Sequence, residues 1–385
     1  RCACETVSGA AAAAAHAMTM PEPSAARFTP PFCPNPNCPF HKGFSAHWRW
    51  KRAGFFHRLV QPRRIQRFTC LRCRRSFSSQ TFHSTYYLKR PDVLPQLFFK
   101  TVGGMANRQL ARDLHVAPTT VDRQLSRLGR HCLLLHTRLS ARAQLQGPLV
   151  LDGFESFEFS QYHPFHHHLL VEADTGFWWS FGDSPLRRKG RMTDRQKRRR
   201  DQLEARLGRP DPRAVQKDVH HLLQPVLDRE AGVTLRSDDH RAYPRAFRGL
   251  ACRIRHQVTS SRQRRDAHNP LFEVNLLDLL IRHCQANHRR ETIAWSKRRQ
   301  ASAERLAVML VWRNYVKWRR EKRGRQTPAM VKGLLKHRLT VQEILKLRLF
   351  RTRIALPQRW AQYYDRRVVT AALPVNRRHE LTYAY

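Results

Sequence analysis

Gly147-Pro148-Leu149-Val150-Leu151-Asp152 is an apolar run that stops on a carboxylate, and Val233-Thr234-Leu235-Arg236-Ser237-Asp238 repeats the device later in the chain. Short apolar runs bounded by turn residues read as buried strands. Between them, Phe165–Ala173 and Gly176–Phe181 read as two more strands joined at Asp174-Thr175-Gly176, followed by a helix over Asp211–Glu230. Cys252–His256 is a short fifth strand, and Leu271–Leu277, after Pro270, opens a helix of apolar period. The order strand, strand, strand, helix, strand, strand, helix makes this segment an α/β domain.

Charge narrows the partner. The chain has 385 residues, with 72 Lys+Arg against 29 Asp+Glu, a formal net charge of +43. So basic a chain calls for a polyanion, because Lys and Arg release counterions when they neutralise phosphates. A membrane is the competing partner, but no apolar run approaches the roughly 20 residues a spanning helix needs. The length suits two or three domains, one of them with a sizeable core.

Four of the nine cysteines fall in two close pairs, Cys33/Cys38 and Cys70/Cys73; the others are scattered singly. Close pairs are the spacing of metal ligands, and two cysteine turns facing each other supply the tetrahedral sulfur set that Zn²⁺ prefers. The first pair is wider than the commonest spacing, and nearby His41 is an alternative ligand. Trp48–Lys51 and Ile65–Phe68 read as strands of this small ribbon, with Phe77 and Phe82 beneath. A module of this size needs the metal's folding energy. Residues 31–85 are assigned to it, and its Arg- and Lys-rich loops suit DNA.

Residues 86–138 carry a helix-turn-helix pattern. Leu110, Ala111 and Leu114 share one helical face, Val116 starts a turn, and Thr119 after Pro118 is the expected N-cap. Val121, Leu125 and Leu128 form the second helix's apolar stripe. Thr119, Thr120, Arg123, Gln124 and Arg127 are then the expected DNA-contacting set, with the last four pointing outward toward base edges and phosphates. A plain helical hairpin is the competing reading.

With these segments in hand, the chain resembles the bacterial insertion-sequence transposases of the zinc-ribbon DDE superfamily. LVLDGFESF (149–157) is similar to the segment around their first Asp. LRSDDHRAYPRAF (235–247) is similar to their second-Asp motif. NPLFEVNLLDLLIR (269–282) and RRETIAWSKR (289–298) are similar to their third-carboxylate helix and its basic extension. The resemblance spans roughly residues 30–320. It implies an RNase H-like catalytic core over 145–325, with Asp152, Asp238 and Glu273 as a triad holding Mg²⁺ (or Mn²⁺) through oxygen. It implies cleavage of double-stranded DNA at terminal inverted repeats, strand transfer into target DNA, and a homo-oligomer, dimer or higher. The expected location is the cytoplasm, at the nucleoid.

Rivals stand beside several of these residues. Asp239 adjoins Asp238, although strand alternation lets only one face the metal. Glu291 rivals Glu273 but pairs more naturally with Arg289 and Arg290, and Asn275 could assist. Glu155 and Glu158 are expected further along the strand or in a loop. His163 and His166–His168 are read as mixed core and surface, with alternation separating His167 from its neighbours. Arg187–Arg200 is expected to be an exposed, DNA-facing insert. Glu304–Arg323 reads as a basic helix whose aromatics mark packing, and 326–385 as a helical extension for DNA clamping or dimer contacts. Residues 1–30 are expected to be disordered, with a working start at Met18 or Met20. Two other functions compete: a non-catalytic DNA-binding regulator or decayed transposase, and another RNase H-like nuclease.

Overall fold

The computed structural model describes residues 28–43, 46–322, 324–346, 348–376 and 378. The expected N-terminal disorder and start lie outside these residues, except for the last few positions.

Strands β1 (Trp50–His57), β2 (Arg64–Cys70) and β3 (Ser76–Ser78) form an antiparallel three-stranded sheet. Phe77 and Phe82 pack with Phe68 and Trp48 beneath it, as the sequence suggested. Helices α1 (Val93–Val102), α2 (Asn107–Asp113) and α3 (Pro118–Ser140) follow. Pro118 is the first helical residue of α3 and Ala117 its cap, so Thr119 sits inside the first turn. The fixed φ of proline and its missing N–H suit that first position, which displaces the expected Thr119 cap by two residues.

The larger sheet comprises β4 (Leu149–Phe157), β5 (Pro164–Glu172), β6 (Trp178–Pro185), β7 (Gly232–Ser237) and β8 (Arg253–Val258), in the order β6-β5-β4-β7-β8. β4 pairs antiparallel with β5, and β5 with β6, whereas β4–β7 and β7–β8 are parallel. Helices α4 (Asp194–Leu207) and α5 (Ala214–Leu227) lie between β6 and β7, and short α6 (Tyr243–Ala246) precedes β8. After β8 come α7 (Phe272–Cys284), α8 (Arg299–Val311) and the short α9 (Pro328–Val331), α10 (Val341–Lys346) and α11 (Gln358–Tyr364).

Alternation along β4 separates two cores. Leu149 and Leu151 pack with Leu222 and Leu223 of α5, while Val150 and Phe154 pack with Val274, Leu277 and Ile281 of α7. Asp152 therefore belongs to the strand face that meets α7. β4 continues to Phe157, so Asp152 lies within the strand and not at its end as expected.

α8 is buried at nearly every position, starts five residues before the expected Glu304, and passes into one π turn over Trp312–Val316. The sequence suggested a basic helix whose aromatics mark packing, and it is the central helix against which α3 packs. Gly129 allows this approach: a Cβ there would lie 2.5 Å from the Glu304 carbonyl oxygen. Asn314 in the π turn covers the open edge of β6, accepting from Trp178 N at 2.9 Å and donating to Trp178 O at 2.8 Å.

Candidate active site and metal centre

The cysteines converge. Cys33 and Cys38 flank a tight turn before β1, Cys70 ends β2, and Cys73 follows in the next turn. Their ligand atoms lie within 4.8 Å of one another, with Sγ separations of 3.6 Å for Cys33–Cys73 and 4.0 Å for Cys38–Cys70. Four thiolates at about 2.3 Å from a tetrahedral Zn²⁺ would stand about 3.8 Å apart, so the set fits that ion. Burial drives the Cys70 thiol up, but N–H groups of Cys73 and Arg72 and the Trp48 indole outweigh it and leave it at about 7. Trp48 Nε1 donates to Cys70 Sγ over 3.3 Å. His41 is not a ligand: its Nδ1 engages Cys33 O at 2.8 Å and its Nε2 Thr352 Oγ1 at 2.7 Å.

A second site opens where β4 and β7 part. Their parallel register ends at Leu151↔Ser237, so Asp152 is the next residue of β4 and Asp238 the first residue past β7. Both line a cavity of about 330 Å³, together with Glu155, His166, His240 and Asp278. Burial, then the neighbouring Asp238 carboxylate, raises the Asp152 carboxyl to about 7. Asp278 is also raised by burial, against the opposing pull of Arg282, whose Nε sits 3.1 and 3.2 Å from its two oxygens. A carboxyl raised by burial and by neighbouring carboxylates, as Asp152 is, is what a divalent cation would relieve. The acids ring the cavity more loosely than a bound ion would draw them: among the described residues only the cysteines form a group of three or more ligands within 4.8 Å.

Glu273, expected as the third acid, does not line this cavity. It lies at the other end of the sheet, where Arg319 Nη2 donates to its Oε1 at 2.8 Å and its Oε2 borders the turn at Gly176. Asp278 follows five residues later, about 7.5 Å further along α7 at 1.5 Å per residue. The sequence signal for Asp278 is the spacing Asp278-Leu-Leu-Ile-Arg282, an i,i+4 acid–base pair on a helix that packs against the Asp152 strand.

The rivals sort by position. Asp238 Oδ1 caps a turn by accepting from His240 N at 3.1 Å, while exposed Asp239 accepts from Ser261 Oγ at 3.3 Å. Glu291 is exposed and forms no ion pair among the described residues. Asn275 is half-buried and does not line the cavity. Glu155 reaches the cavity, but Glu158 is buried, accepting from Arg299 N at 3.0 Å.

Alternation separates the histidines as expected. His167 faces α8 and meets Ser302 Oγ at 2.9 Å, whereas His166 and His168 share the opposite face, 3.1 Å apart at Nδ1. His168 Nε2 reaches Ser184 Oγ at 2.7 Å, and that hydroxyl donates to Asp218 at 2.8 Å. This buried chain holds His166 at the cavity wall.

Of the five expected DNA-contacting residues, Thr119 and Arg123 are exposed and Thr120 is half-buried. Gln124 and Arg127 do not point outward. Gln124 Nε2 donates to Arg90 O at 3.2 Å, and Arg127 Nη2 donates to Tyr86 O. From Gln124 to Arg130, α3 is enclosed by its neighbours on all sides, so no outward face remains there.

Among the described residues, no helix is long and apolar enough to cross a membrane. No protein-family model matches the chain, and no curated protein does. Among solved structures, the chain is similar to the cryoEM structure of a simian T-cell lymphotropic virus intasome in complex with PP2A regulatory subunit B56 gamma. The identity is 16% and the TM-score 0.25, over 50% of this chain and 56% of that chain, so the match spans little more than half of that chain's length.

Proposed function

We propose that this chain is a DNA transposase that cleaves and joins strands at the ends of its own element, using an RNase H-like core. The observation that carries the reading is the cavity between β4 and β7. Asp152 and Asp238, one residue past the last pair of two parallel strands, face it together with Asp278 of α7. A sheet of three antiparallel strands, a helical crossover and two parallel strands is the framework expected for such acids, and a formal charge of +43 suits a polyanionic substrate.

We assign the third carboxylate to Asp278 in place of Glu273. Bound divalent ions, Mg²⁺ or Mn²⁺, would supply charge neutralisation for in-line attack at phosphorus. The chain's own residues do the rest. Asp152, Asp238 and Asp278 would provide the oxygen ligands, and Arg265 and Arg290 on the same wall would orient a phosphodiester through charge-assisted hydrogen bonds. The four-cysteine module would hold Zn²⁺. Together with α2 and α3, whose exposed Thr119 and Arg123 stand at the start of α3, it would recognise the terminal repeats. Partners are therefore double-stranded DNA and, for joining two ends, a second copy of the chain.

The test is Mg²⁺-dependent cleavage of a duplex carrying the inverted repeat that flanks the gene, with Asp152→Ala and Asp238→Ala as controls. Cleavage by the wild type alone, with duplex binding retained in both variants, supports the reading. Binding without cleavage under Mg²⁺ or Mn²⁺ in the wild type would instead make the chain a DNA-binding regulator.

A further inference from the structure

A second cavity, of about 210 Å³, lies between α4, the ends of β5 and β6, and the start of α8. Its charge is opposite to that of the acidic one. Arg187, Arg188, Arg200, Arg209, Arg299 and His163 line it, against two carboxylates. Both carboxylates are already engaged. Glu204 takes Arg187 at 2.8 Å and Arg200 at 3.7 Å, and Glu158 takes the Arg299 backbone N–H, the Thr370 hydroxyl and, at 3.8 Å, Arg299 Nε.

Three nitrogen atoms at this wall are buried with no hydrogen-bond partner among the described residues: Arg299 Nη1, Arg188 Nε and His163 Nε2. Arg299 is itself 8% exposed and is fixed from behind, its Nε 3.1 Å from Asp183 Oδ2. Unpaired buried guanidinium donors are costly, and they mark a place where an acceptor belongs. Leu186 lines both this cavity and the acidic one, so the two abut.

We propose that this basic cavity binds a phosphate group, namely a phosphodiester of the DNA strand that also occupies the acidic cavity. This rests on the transposase reading. Arg188 and Arg209, which carry no ion pair among the described residues, together with Arg299 Nη1, match a phosphate's oxygens, and the apolar wall of Pro164, Leu203 and Leu207 accepts the adjoining sugar. The pocket thus anchors the strand beside the cavity where the acids act.

The experiment uses the full chain and two variants that spare the buried Arg299–Asp183 pair: Arg188→Gln, which removes a donor, and Leu207→Trp, which fills the cavity without changing charge. Binding of a labelled terminal-repeat duplex is measured across a salt series, with circular dichroism confirming the fold. The expected result for Arg188→Gln is roughly tenfold weaker binding and a log–log salt slope flattened by about 0.9. Leu207→Trp should weaken binding similarly.

A parallel arm measures thermal protection by inorganic phosphate against chloride at matched ionic strength. Protection lost in Arg188→Gln while duplex affinity stays unchanged would overturn the DNA assignment and give the site to free phosphate. Unchanged affinity and slope in both folded variants, without phosphate protection, would overturn the site altogether. Weaker binding by the variants, alongside a wild type that never cleaves, would sink the transposase reading and leave the phosphodiester site standing.

Discussion

Arg319 holds Glu273: its Nη2 donates to Glu273 Oε1 at 2.8 Å, and the carboxylate is spent on this pair beside the Gly176 turn. Asp278, on the same helix, faces the cavity of Asp152 and Asp238. Asp278→Asn is therefore expected to abolish cleavage, by more than roughly a hundredfold, since even outer partners of a metal ligand cost 10–100-fold. Glu273→Gln should leave cleavage within a few-fold and cost about 1 kcal/mol of stability. Single-turnover cleavage with urea unfolding separates the two, and the reverse pattern would restore Glu273 to the triad.

Asp152 carries the clearest pH signature. Burial and the Asp238 carboxylate raise it from 3.8 to about 7, so between those values the folded chain holds a proton that the unfolded chain has released. Its contribution to stability is thus lost as pH rises from about 4 to about 7 and stays lost above. Asp152→Asn removes that penalty and should stabilise the metal-free protein at pH 8 by up to about 4 kcal/mol, with no gain at pH 4. Mg²⁺ should raise the melting temperature of the wild type at pH 8 more than that of the variant. Thermal melts at the two pH values, with and without Mg²⁺, check both parts.

Zinc is expected at about one ion per chain, released by a strong chelator. The module's core is small, with Phe68, Phe77, Phe82 and Trp48 around the cysteines, so metal loss should unfold it. Cys70→Ser should lower zinc content and expose Trp48, read as a red-shifted emission. Full zinc occupancy in that variant would refute the four-sulfur site.

Gly129 is set where α3 meets α8, and a Cβ there would lie 2.5 Å from Glu304 O. Backbone cannot retreat as a side-chain tip can, so Gly129→Ala should destabilise by about 1–3 kcal/mol in spite of alanine's better helix propensity. A urea midpoint equal to or above the wild type's would contradict this close packing.

Arg123 and Arg127 should behave differently although they stand one helical turn apart. Exposed Arg123, changed to Ala, should weaken duplex binding and reduce the salt slope by about 1 without altering stability. Arg127, buried against Tyr86 O, should instead lower the melting temperature when changed to Ala. Equal effects on DNA binding at unchanged stability would return Arg127 to the DNA-facing set.

The sequence by itself determined the local units. Alternation and apolar runs located the strands of the larger sheet, the paired cysteines located their own cluster, and the run ending at Ser237 located Asp238 at the mouth of β7. These are short-range properties, fixed by side-chain period and ligand spacing. Tertiary structure decided which acid of α7 faces Asp152, because a helix offers a different face every few residues and only its docking angle selects one. It likewise buried Gln124 and Arg127 and made the arginine-rich segment around α8 a core helix, because these residues meet partners far away in sequence: Arg127 against Tyr86, and Ser126 against Glu304. No local period encodes contacts of that kind.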